Sequence, residues 1–235
     1  MDTEREQLRE RELGALSPRY SPVLHVLAPS AWGLAVVAAA AFLIHGLTWT
    51  EALTVPIVLV LANMAEWRMH RDLLHKRSAL LPALYDRHTP VHHRIYVYGD
   101  MEIKTSRELK FILIPAWAGI ALFVALLPLA VGIWFSISAN VACLFISSCM
   151  VYVVCYELLH LSYHLPAASF LGRRALVRRL ARHHSIHHDP KLMHRWNMNV
   201  SVPLWDVVRR TRVRAPACDD VHKPETTVGT ASASR

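Results

Sequence analysis

The sequence predicts an all-α integral membrane protein with about four transmembrane helices in two hairpins and a cytosolic helical cap that carries a histidine metal site. Two stretches, residues 21–67 and 111–172, contain no Lys or Arg and very few acids. Each stretch is long enough for two crossings of about 20 residues. The cap is predicted because ten of the fifteen histidines fall in four clusters at or beyond the ends of these stretches.

The four spans follow from the distribution of apolar residues within the two stretches. Pro22 and Pro29 predict an extended or interfacial segment between Arg19 and Pro29, so that the first span begins only after it. The second and fourth spans should continue as helices past the membrane boundary, because a histidine pair follows each of them. The spans are expected at residues 31–47, 52–67, 111–129 and 133–159, with turns near residues 46–51 and 128–132.

Residues 173–188 are predicted to form a basic amphipathic helix after the fourth span. One face carries Leu176, Leu180, His184 and His187, and the opposite face carries Arg174, Arg178 and Arg182. The domain organisation is therefore a charged segment over residues 1–20, a membrane-embedded domain over 21–212 and a disordered tail over 213–235, which is rich in Pro, Thr, Ser and Ala.

The basic residues predict the orientation in the membrane. All 26 Lys and Arg residues fall before residue 21, between residues 68 and 110, or from residue 173 onward. The positive-inside rule makes these three segments cytoplasmic. An even number of spans independently places both termini and the central segment on one side. We therefore expect a multi-pass membrane protein with its termini and its histidine clusters in the cytoplasm.

The net charge of +8 does not indicate nucleic-acid binding. Basic surfaces can bind nucleic acid, but here the basic residues follow the membrane topology. Anionic lipid headgroups are the simpler partner, and no nucleic-acid partner is expected. A buried soluble core is also disfavoured, because soluble helices of this length normally carry a charged face.

The histidine clusters have spacings that suit metal binding. Residues i, i+3 and i+4 of a helix share one face, so the third and fourth clusters can each present imidazoles to one point. No cysteine lies within a cluster, which argues against an iron–sulfur or a cysteine-containing zinc site. The expected metal ligands are His70 and His75; His88, His92 and His93; His160 and His164; and His184, His187 and His188.

The first two clusters are less regular. The members of the first pair are five residues apart and point about 140° away from each other on a regular helix. Either the helix ends or bulges there, or the two rings reach the site from different sides. In the second cluster, Thr89 and Pro90 predict a helix start, with His92 and His93 just inside the helix and His88 approaching from a loop.

Five further residues are candidates for supporting roles or for alternate ligands: Glu66, Glu157, Asp189, His183 and His194. Glu66 and Glu157 precede a clustered histidine by one helical turn. They either accept the second ring N–H of that ligand or merely mark helix ends. Asp189, beside the last cluster, has the same two interpretations. His183 can replace His184 as a ligand, and His194 is either an eleventh ligand or a surface residue.

Ligand type alone does not choose the metal, because imidazole suits Zn, Cu, Fe and Ni. Ten ligands exceed what one ion can use. Two six-coordinate ions with four or five histidines each would leave positions open for oxygen. Closely spaced metal pairs, about 3.5–4 Å apart, are a known catalytic arrangement.

The ordered set HX4H, HX3HH, HX3H and HX2HH, with paired spans before the first and third motifs, resembles the fatty acid hydroxylase/sterol desaturase superfamily, whose members are membrane histidine-box di-iron oxygenases. The run from Asn197 to Asp206 is also similar to the family's segment after its last histidine motif. The resemblance covers roughly residues 55–212. Asn199 stands where the family often has Gly, and Arg210 precedes Thr211 where Gly-Thr is common.

The resemblance implies a fatty acid hydroxylase-like domain with two iron ions, although zinc can occupy such a site in isolated protein. It also implies an enzyme that uses O2 and two electrons from a separate electron-transfer protein to hydroxylate a C–H position of a lipid or fatty acyl substrate. The metal ligands are then the only catalytic residues expected.

Two alternatives remain open at this stage. A desaturase or decarbonylase on the same scaffold cannot be separated from a hydroxylase by sequence. A membrane metal transporter belongs to a different class and would place polar ligands inside the spans. Asn63, Asn140 and His45 are the few candidates for that role.

Overall fold

The computed structural model describes residues 2–115 and 117–214, and within these residues the fold is helical throughout, apart from one isolated bridge between Val97 and Asp100. Four helical stretches are long and apolar enough to cross a membrane, as predicted; they are Pro22–Leu43, Trp49–Leu74, Ala118–Ser136 and Ala139–Tyr163. Most of the tail that was predicted to be disordered, residues 215–235 with Cys218 and His222, lies outside the described residues.

The helices form a bundle with a smaller helical cap at one end. The first half of the chain contains α1 (Asp2–Gly14), α2 (Pro22–Leu43), α3 (Trp49–Ala52), α4 (Thr54–Met69), α5 (Pro82–Arg87) and α6 (His93–Ile95), with π-helical turns over His70–Leu74 and His88–His92. The second half contains a 3-10 turn over Ser106–Glu108, then α7 (Leu109–Ile112), α8 (Ala118–Ser136), α9 (Ala139–Tyr163), α10 (Ala175–His187) and α11 (Leu204–Val208). The central element is α9, because α2, α4 and α8 all pack against it.

Helices α2 and α9 pack closely against each other at Gly33. A Cβ atom at Gly33 would lie 2.7 Å from Val154 Cγ2, so only glycine fits this crossing without a shift. Next to it, Val36 on α2 packs against Cys143 and Met150 on α9 in a buried apolar cluster. Small residues at such crossings let membrane helices pack closely.

The first hairpin begins earlier than predicted. Instead of an extended segment, Pro22 starts α2, with Ser21 as its N-cap accepting the Leu24 N–H at 3.3 Å. Proline suits a first helical turn because its missing N–H has no partner there in any case. Pro29 lies inside the same helix. The expectation of an extended segment before Pro29 is therefore wrong.

The second hairpin differs from the prediction in the position of its turn and in the start of its first helix. The predicted turn at residues 128–132 lies within α8, and the chain instead turns at Ile137 and Ser138. A proline such as Pro128 is tolerated in a membrane helix when neighbouring groups satisfy the backbone. The span predicted from residue 111 starts only at Ala118, because α7 ends before the extended residue Leu113.

The two hairpin turns are tied together at the end of the bundle away from the histidines. Asn140 Nδ2 donates to the His45 carbonyl at 2.9 Å and to Glu51 Oε2 at 3.1 Å, while its Oδ1 accepts the His45 N–H at 3.1 Å. Ser138 Oγ also donates to Glu51 Oε1 at 2.7 Å. These bonds fix the register of the two hairpins, which in turn fixes where their other ends deliver the histidines.

The predicted amphipathic helix is α10, and its apolar face is only partly buried. Leu180 packs against Tyr163 at the end of α9, and His184 and His187 are fully buried beyond it. Leu176 was placed on the same face but is 65% exposed, and its neighbour Val177 packs against the cluster instead.

Candidate metal centre

A π-helical turn brings the first histidine pair onto one face. In the turn His70–Leu74, the His75 N–H donates to the His70 carbonyl at 3.1 Å, which is an i→i+5 bond. The two rings therefore stack with centroids 5.0 Å apart, although they would diverge on a regular α-helix. Of the geometries left open by the sequence, the bulged helix is the one observed.

The second cluster uses the same device. His88–His92 is a π-helical turn in which the His93 N–H bonds to the His88 carbonyl. Pro90 thus lies inside the turn, and the helix starts earlier, at Pro82. The predicted helix start at Thr89 and Pro90 is wrong, and His88 reaches the centre from a helical turn rather than from a loop. The bond that defines this turn is donated by His93, so the missing N–H of Pro90 removes no bond from it.

Nine of the ten clustered histidines converge in two buried groups. Within each group, one ring nitrogen from every member lies within 4.8 Å of the others. The first group is His70, His75, His88, His93 and His187, and the second is His92, His164, His184 and His188. Each group combines residues from both halves of the chain.

The tenth histidine, His160, lies beside the second group. Its ring centroid is 5.0 Å from that of His92 and 4.8 Å from that of His184. The side chain is 3% exposed, and its Nε2 has no hydrogen-bond partner. A buried polar nitrogen without a partner is costly, so this atom is available to a ligand or a cation.

Backbone carbonyls set the tautomers of five clustered histidines. A carbonyl can only accept, so the ring Nδ1 must carry the proton and the Nε2 of the neutral ring presents a lone pair to the centre. The bonds run from His70 to Met198 at 2.5 Å, from His92 to Phe111 at 3.1 Å, from His164 to Met101 at 2.8 Å, from His187 to Trp196 at 2.9 Å and from His188 to Tyr96 at 2.6 Å.

In the pair His92 and His188, these tautomers place two ring nitrogens with lone pairs close together. Both rings donate through Nδ1, yet their Nε2 atoms lie 3.2 Å apart, so two lone pairs face each other. The same His188 Nε2 also lies 3.0 Å from His184 Nε2. One ring nitrogen has a single proton or lone pair and cannot make two ordinary hydrogen bonds of this kind. A shared cation resolves the conflict.

The distances in the first group agree with this interpretation. His88 Nε2 lies 2.9 Å from His70 Nε2 and 3.0 Å from His93 Nε2. Metal–nitrogen bonds of about 2.1 Å place right-angle neighbours about 3.0 Å apart. The donor sets therefore fit one metal ion in each group.

Burial also keeps the rings outside the spans in the form that binds metal. It lowers the pKa of His164 to about 4. Burial, reinforced by the neighbouring histidines, lowers the pKa of His93 and His184 well below the ordinary value. Neutral imidazole is the ligand form, so the site is ready to bind a cation at neutral pH.

The alternate ligands suggested by the sequence lie outside both groups. His183 is buried, but its Nε2 donates to Asp206 Oδ2 at 3.3 Å. His194 is exposed, with its ring centroid 5.6 Å from that of His75. Asp189 accepts the Lys191 N–H at 2.8 Å, which closes the turn after α10.

The two carboxylates in the spans hold backbone segments rather than histidine rings. Glu66 accepts the backbone N–H of Ser201 at 3.0 Å and the hydroxyl groups of Ser201 and Tyr152. Glu157 Oε2 accepts the Ile114 N–H at 3.0 Å. The carbonyls that support His70 and His92 belong to these two backbone segments, so the carboxylates support the centre indirectly.

Sequence reasoning did not single out Asp206, which organises the segment that contains the Met198 carbonyl. Its fully buried carboxylate accepts the Met198 N–H at 3.0 Å, the Asn199 N–H at 2.8 Å and Trp67 Nε1–H at 3.1 Å. Burial alone would raise the pKa of Asp206, but the hydrogen bonds from His183, Thr211 and Asn199 outweigh it and lower the pKa. The run 197–206 pointed to this region, but spacing could not show which groups the carboxylate binds.

The two departures from the family pattern have different consequences. Arg210 adopts a left-handed conformation with φ 56°, which explains why glycine is common at this position. Asn199 needs no glycine-like backbone. Its side chain donates to the Asn63 carbonyl at 3.0 Å and accepts the Asp206 N–H at 3.0 Å.

The fold and the centre define a multi-pass membrane protein with a buried polyhistidine site. The chain belongs to the fatty acid hydroxylase family, because the family model of that description matches residues 55–211. No curated protein matches the sequence significantly.

A solved structure titled full-length Scs7p, with only the hydroxylase domain visible, has the same fold. The TM-score is 0.55 at 19% sequence identity, and the match covers 80% of this chain. The chain spans 66% of that structure's length, just under two thirds. At this identity the likeness shows the fold alone.

Proposed function

We propose that this protein is a membrane-bound di-iron oxygenase that hydroxylates a C–H position of a lipid or fatty acyl substrate. It uses O2 and electrons from a separate electron-transfer protein. The observation that carries the proposal is the pair of buried imidazole groups, whose facing ring nitrogens fit one cation each. Family membership supports the hydroxylase chemistry.

Ten histidines would hold the metal ions. The first group would supply His70, His75, His88, His93 and His187, and the second would supply His92, His160, His164, His184 and His188. When bound, iron supplies the redox chemistry that activates O2 and oxidises an unactivated C–H bond. The all-nitrogen donor set also suits zinc, which can occupy the site in isolated protein.

The protein's own residues keep the centre dry and rigid. The ten rings are 0–7% exposed, so water is excluded from the reacting position. Backbone carbonyls fix five of the rings in one orientation, as ligating histidines require. The facing imidazoles thus need little rearrangement when a cation binds.

An apolar groove in the membrane part supports a lipid substrate. It has a volume of about 580 Å³, lies between α2, α8 and α9, and is lined by Trp32, Phe123 and Ile146 among others. Ile146 lies 14 residues before His160 on the same helix, which corresponds to about 21 Å along the axis. An acyl tail of ordinary length can span such a distance.

We propose that the histidine centre and both termini are cytoplasmic. The histidine groups lie at the ends of α4 and α9, next to the basic segments between residues 68 and 110 and after residue 173. The positive-inside rule and the even number of spans support this orientation.

The polar residues within the spans do not favour a metal transporter. Asn63 Nδ2 donates to the Val202 carbonyl at 2.8 Å, and its Oδ1 accepts the Trp205 N–H at 3.0 Å. Asn140 and His45 bind each other and the hairpin turns. The amide groups of both asparagines therefore have structural partners, and His45 lies in the turn between the first two spans. A transport path would need ligands near the midplane.

The test combines metal analysis with lipid analysis of cells that express the protein. Wild-type protein should contain about two irons per chain, and a lipid should gain one oxygen from isotopically labelled O2. His164→Ala should abolish the product and lower the metal content, while the exposed control His194→Ala should leave both unchanged. A lipid that loses two hydrogens without gaining oxygen would indicate a desaturase. Full turnover by His164→Ala would contradict the proposed site.

A further inference from the structure

The N-terminal helix α1 lies outside residues 55–211, which the family model matches, yet it packs directly behind the histidine centre. Leu8, 7% exposed, packs in a cluster with Ile95, Tyr96 and Met101. On either side of this contact, Arg5 pairs with Asp100 at 2.6 Å and Lys104 pairs with Glu6 at 2.7 Å. The highly charged N-terminal segment is therefore docked on one specific surface.

The contact centres on Arg9, a cation that is only 1% exposed. Its Nη1 donates to Glu108 Oε2 at 3.1 Å, and its Nη2 donates to the Ile95 carbonyl at 3.4 Å. The guanidinium also lies 5.8 Å from the centroid of the Tyr96 ring. Burying a cation is unfavourable unless it is paired and hydrogen-bonded, so these partners are specific.

Glu108 links Arg9 to the segment that lines the histidines. Its Oε2 accepts the Tyr96 hydroxyl at 3.0 Å, and its Oε1 accepts the backbone N–H groups of Lys104 and Thr105, each at 3.0 Å. The side chain is fully buried. Arg9 and Glu108 thus hold both ends of the backbone between Tyr96 and Thr105.

That backbone supports two members of the second histidine group. The Tyr96 carbonyl accepts His188 Nδ1–H at 2.6 Å, and the Met101 carbonyl accepts His164 Nδ1–H at 2.8 Å. The Tyr96 ring also packs on the His164 ring, with centroids 4.6 Å apart. In the first group, the carbonyl partners come from residues 196–198 instead.

We propose that Arg9 is a positioning residue for the second histidine group. Through Glu108 and Tyr96, its guanidinium holds the carbonyls that orient His188 and His164 toward a metal ion. This inference rests on the proposed function, in that the second group is taken to bind metal. The N-terminal helix is then part of the metal centre, although it lies outside the part of the chain that defines the family.

The test measures the affinity for each of the two ions by chelator competition, using the full chain in detergent. Arg9→Met keeps the apolar stem and removes the guanidinium. Mutating a group that hydrogen-bonds to a metal ligand typically lowers the metal affinity by about 10–100-fold. Arg9 acts through two intermediates, so we expect the affinity for one ion to fall about tenfold. Arg9→Lys should restore part of it, and Arg11→Met, which changes a 72% exposed side chain of the same helix, should change nothing.

The affected ion is assigned with ligand variants that leave one group intact. In a His75→Ala background, which removes a first-group histidine, Arg9→Met should lower the affinity for the ion of the second group. In a His164→Ala background, Arg9→Met should leave the affinity for the ion of the first group unchanged. An equal change in both ions would indicate general destabilisation and would contradict the assignment to the second group.

A second variant covers the case in which Arg9→Met does not fold. Tyr96→Phe removes only the hydroxyl that bonds to Glu108 and keeps the ring and the backbone carbonyl. The affinity for one ion should again fall, and unchanged affinities for both ions would overturn the inference. If the wild-type chain bound no metal, the proposed function would fail as well. If the wild-type chain bound two ions and the variants bound both with wild-type affinity, the proposed function would stand and only the positioning role of Arg9 would be refuted.

Discussion

The substitution Asp206→Asn tests whether a buried carboxylate outside the histidine clusters holds the first metal group in place. Asp206 Oδ1 accepts three donors: Trp67 Nε1–H at 3.1 Å, the Met198 N–H at 3.0 Å and the Thr211 hydroxyl at 2.7 Å. Its Oδ2 accepts the Asn199 N–H at 2.8 Å and His183 Nε2–H at 3.3 Å. Asparagine has a single acceptor oxygen, so its amide group must face some of these donors.

The expected loss of stability in Asp206→Asn follows from the better of the two orientations of the asparagine amide. The oxygen replaces Oδ1 and keeps three bonds, while the NH2 group faces the two donors that bonded to Oδ2. Each hydrogen bond to a charged acceptor contributes about 1.5–3 kcal/mol. If His183 turns or changes tautomer to accept from the amide, only the bond from the Asn199 N–H is lost; otherwise both bonds are lost. A cost of roughly 3 kcal/mol is common to the two cases. For a chain of this length that lowers the thermal midpoint by roughly 6–12 °C.

The assay is thermal unfolding in detergent together with metal analysis. The Met198 carbonyl orients His70, so Asp206→Asn should also weaken metal binding by the first group. The matched control is Asp189→Asn, because Asp189 is partly exposed and, among the described residues, its carboxylate accepts only the Lys191 N–H. If Asp206→Asn kept the midpoint and the metal content of that control, the supporting role of Asp206 would be refuted.

Two other substitutions test the backbone of the cap by thermal unfolding. Arg210→Gly should raise stability by roughly 0.5–1 kcal/mol, because a left-handed conformation costs a non-glycine residue about 1–2 kcal/mol and the flexibility of glycine offsets part of that; a lower midpoint would contradict this. Gly172→Ala should destabilise by about 1–3 kcal/mol, since its Cβ would lie 2.5 Å from the Pro166 carbonyl oxygen. The control Gly132→Ala, with nothing within 4 Å of the new Cβ, should be neutral or slightly stabilising, and equal midpoints for the two variants would count against the clash.

The sequence by itself determined the helical fold class, the number of spans and the histidine clusters. Each of these is a local property. Two apolar stretches without basic residues predicted the four candidate membrane helices, and the ordered histidine motifs predicted the family whose model matches the chain. Span boundaries were less well predicted, because Pro22, Pro29 and Pro128 suggested breaks that the helices accommodate.

The arrangement of the centre was decided only by the tertiary structure. Which histidines share a group depends on π-helical turns and on the packing of α4, α9 and α10, and neither is encoded in the spacing of one segment. The supporting residues Arg9 and Asp206 act across 99 and 139 positions of the chain, on Glu108 and Trp67 respectively. Local periodicity can place a side chain on a helix face, but which distant group meets it depends on how the whole chain packs.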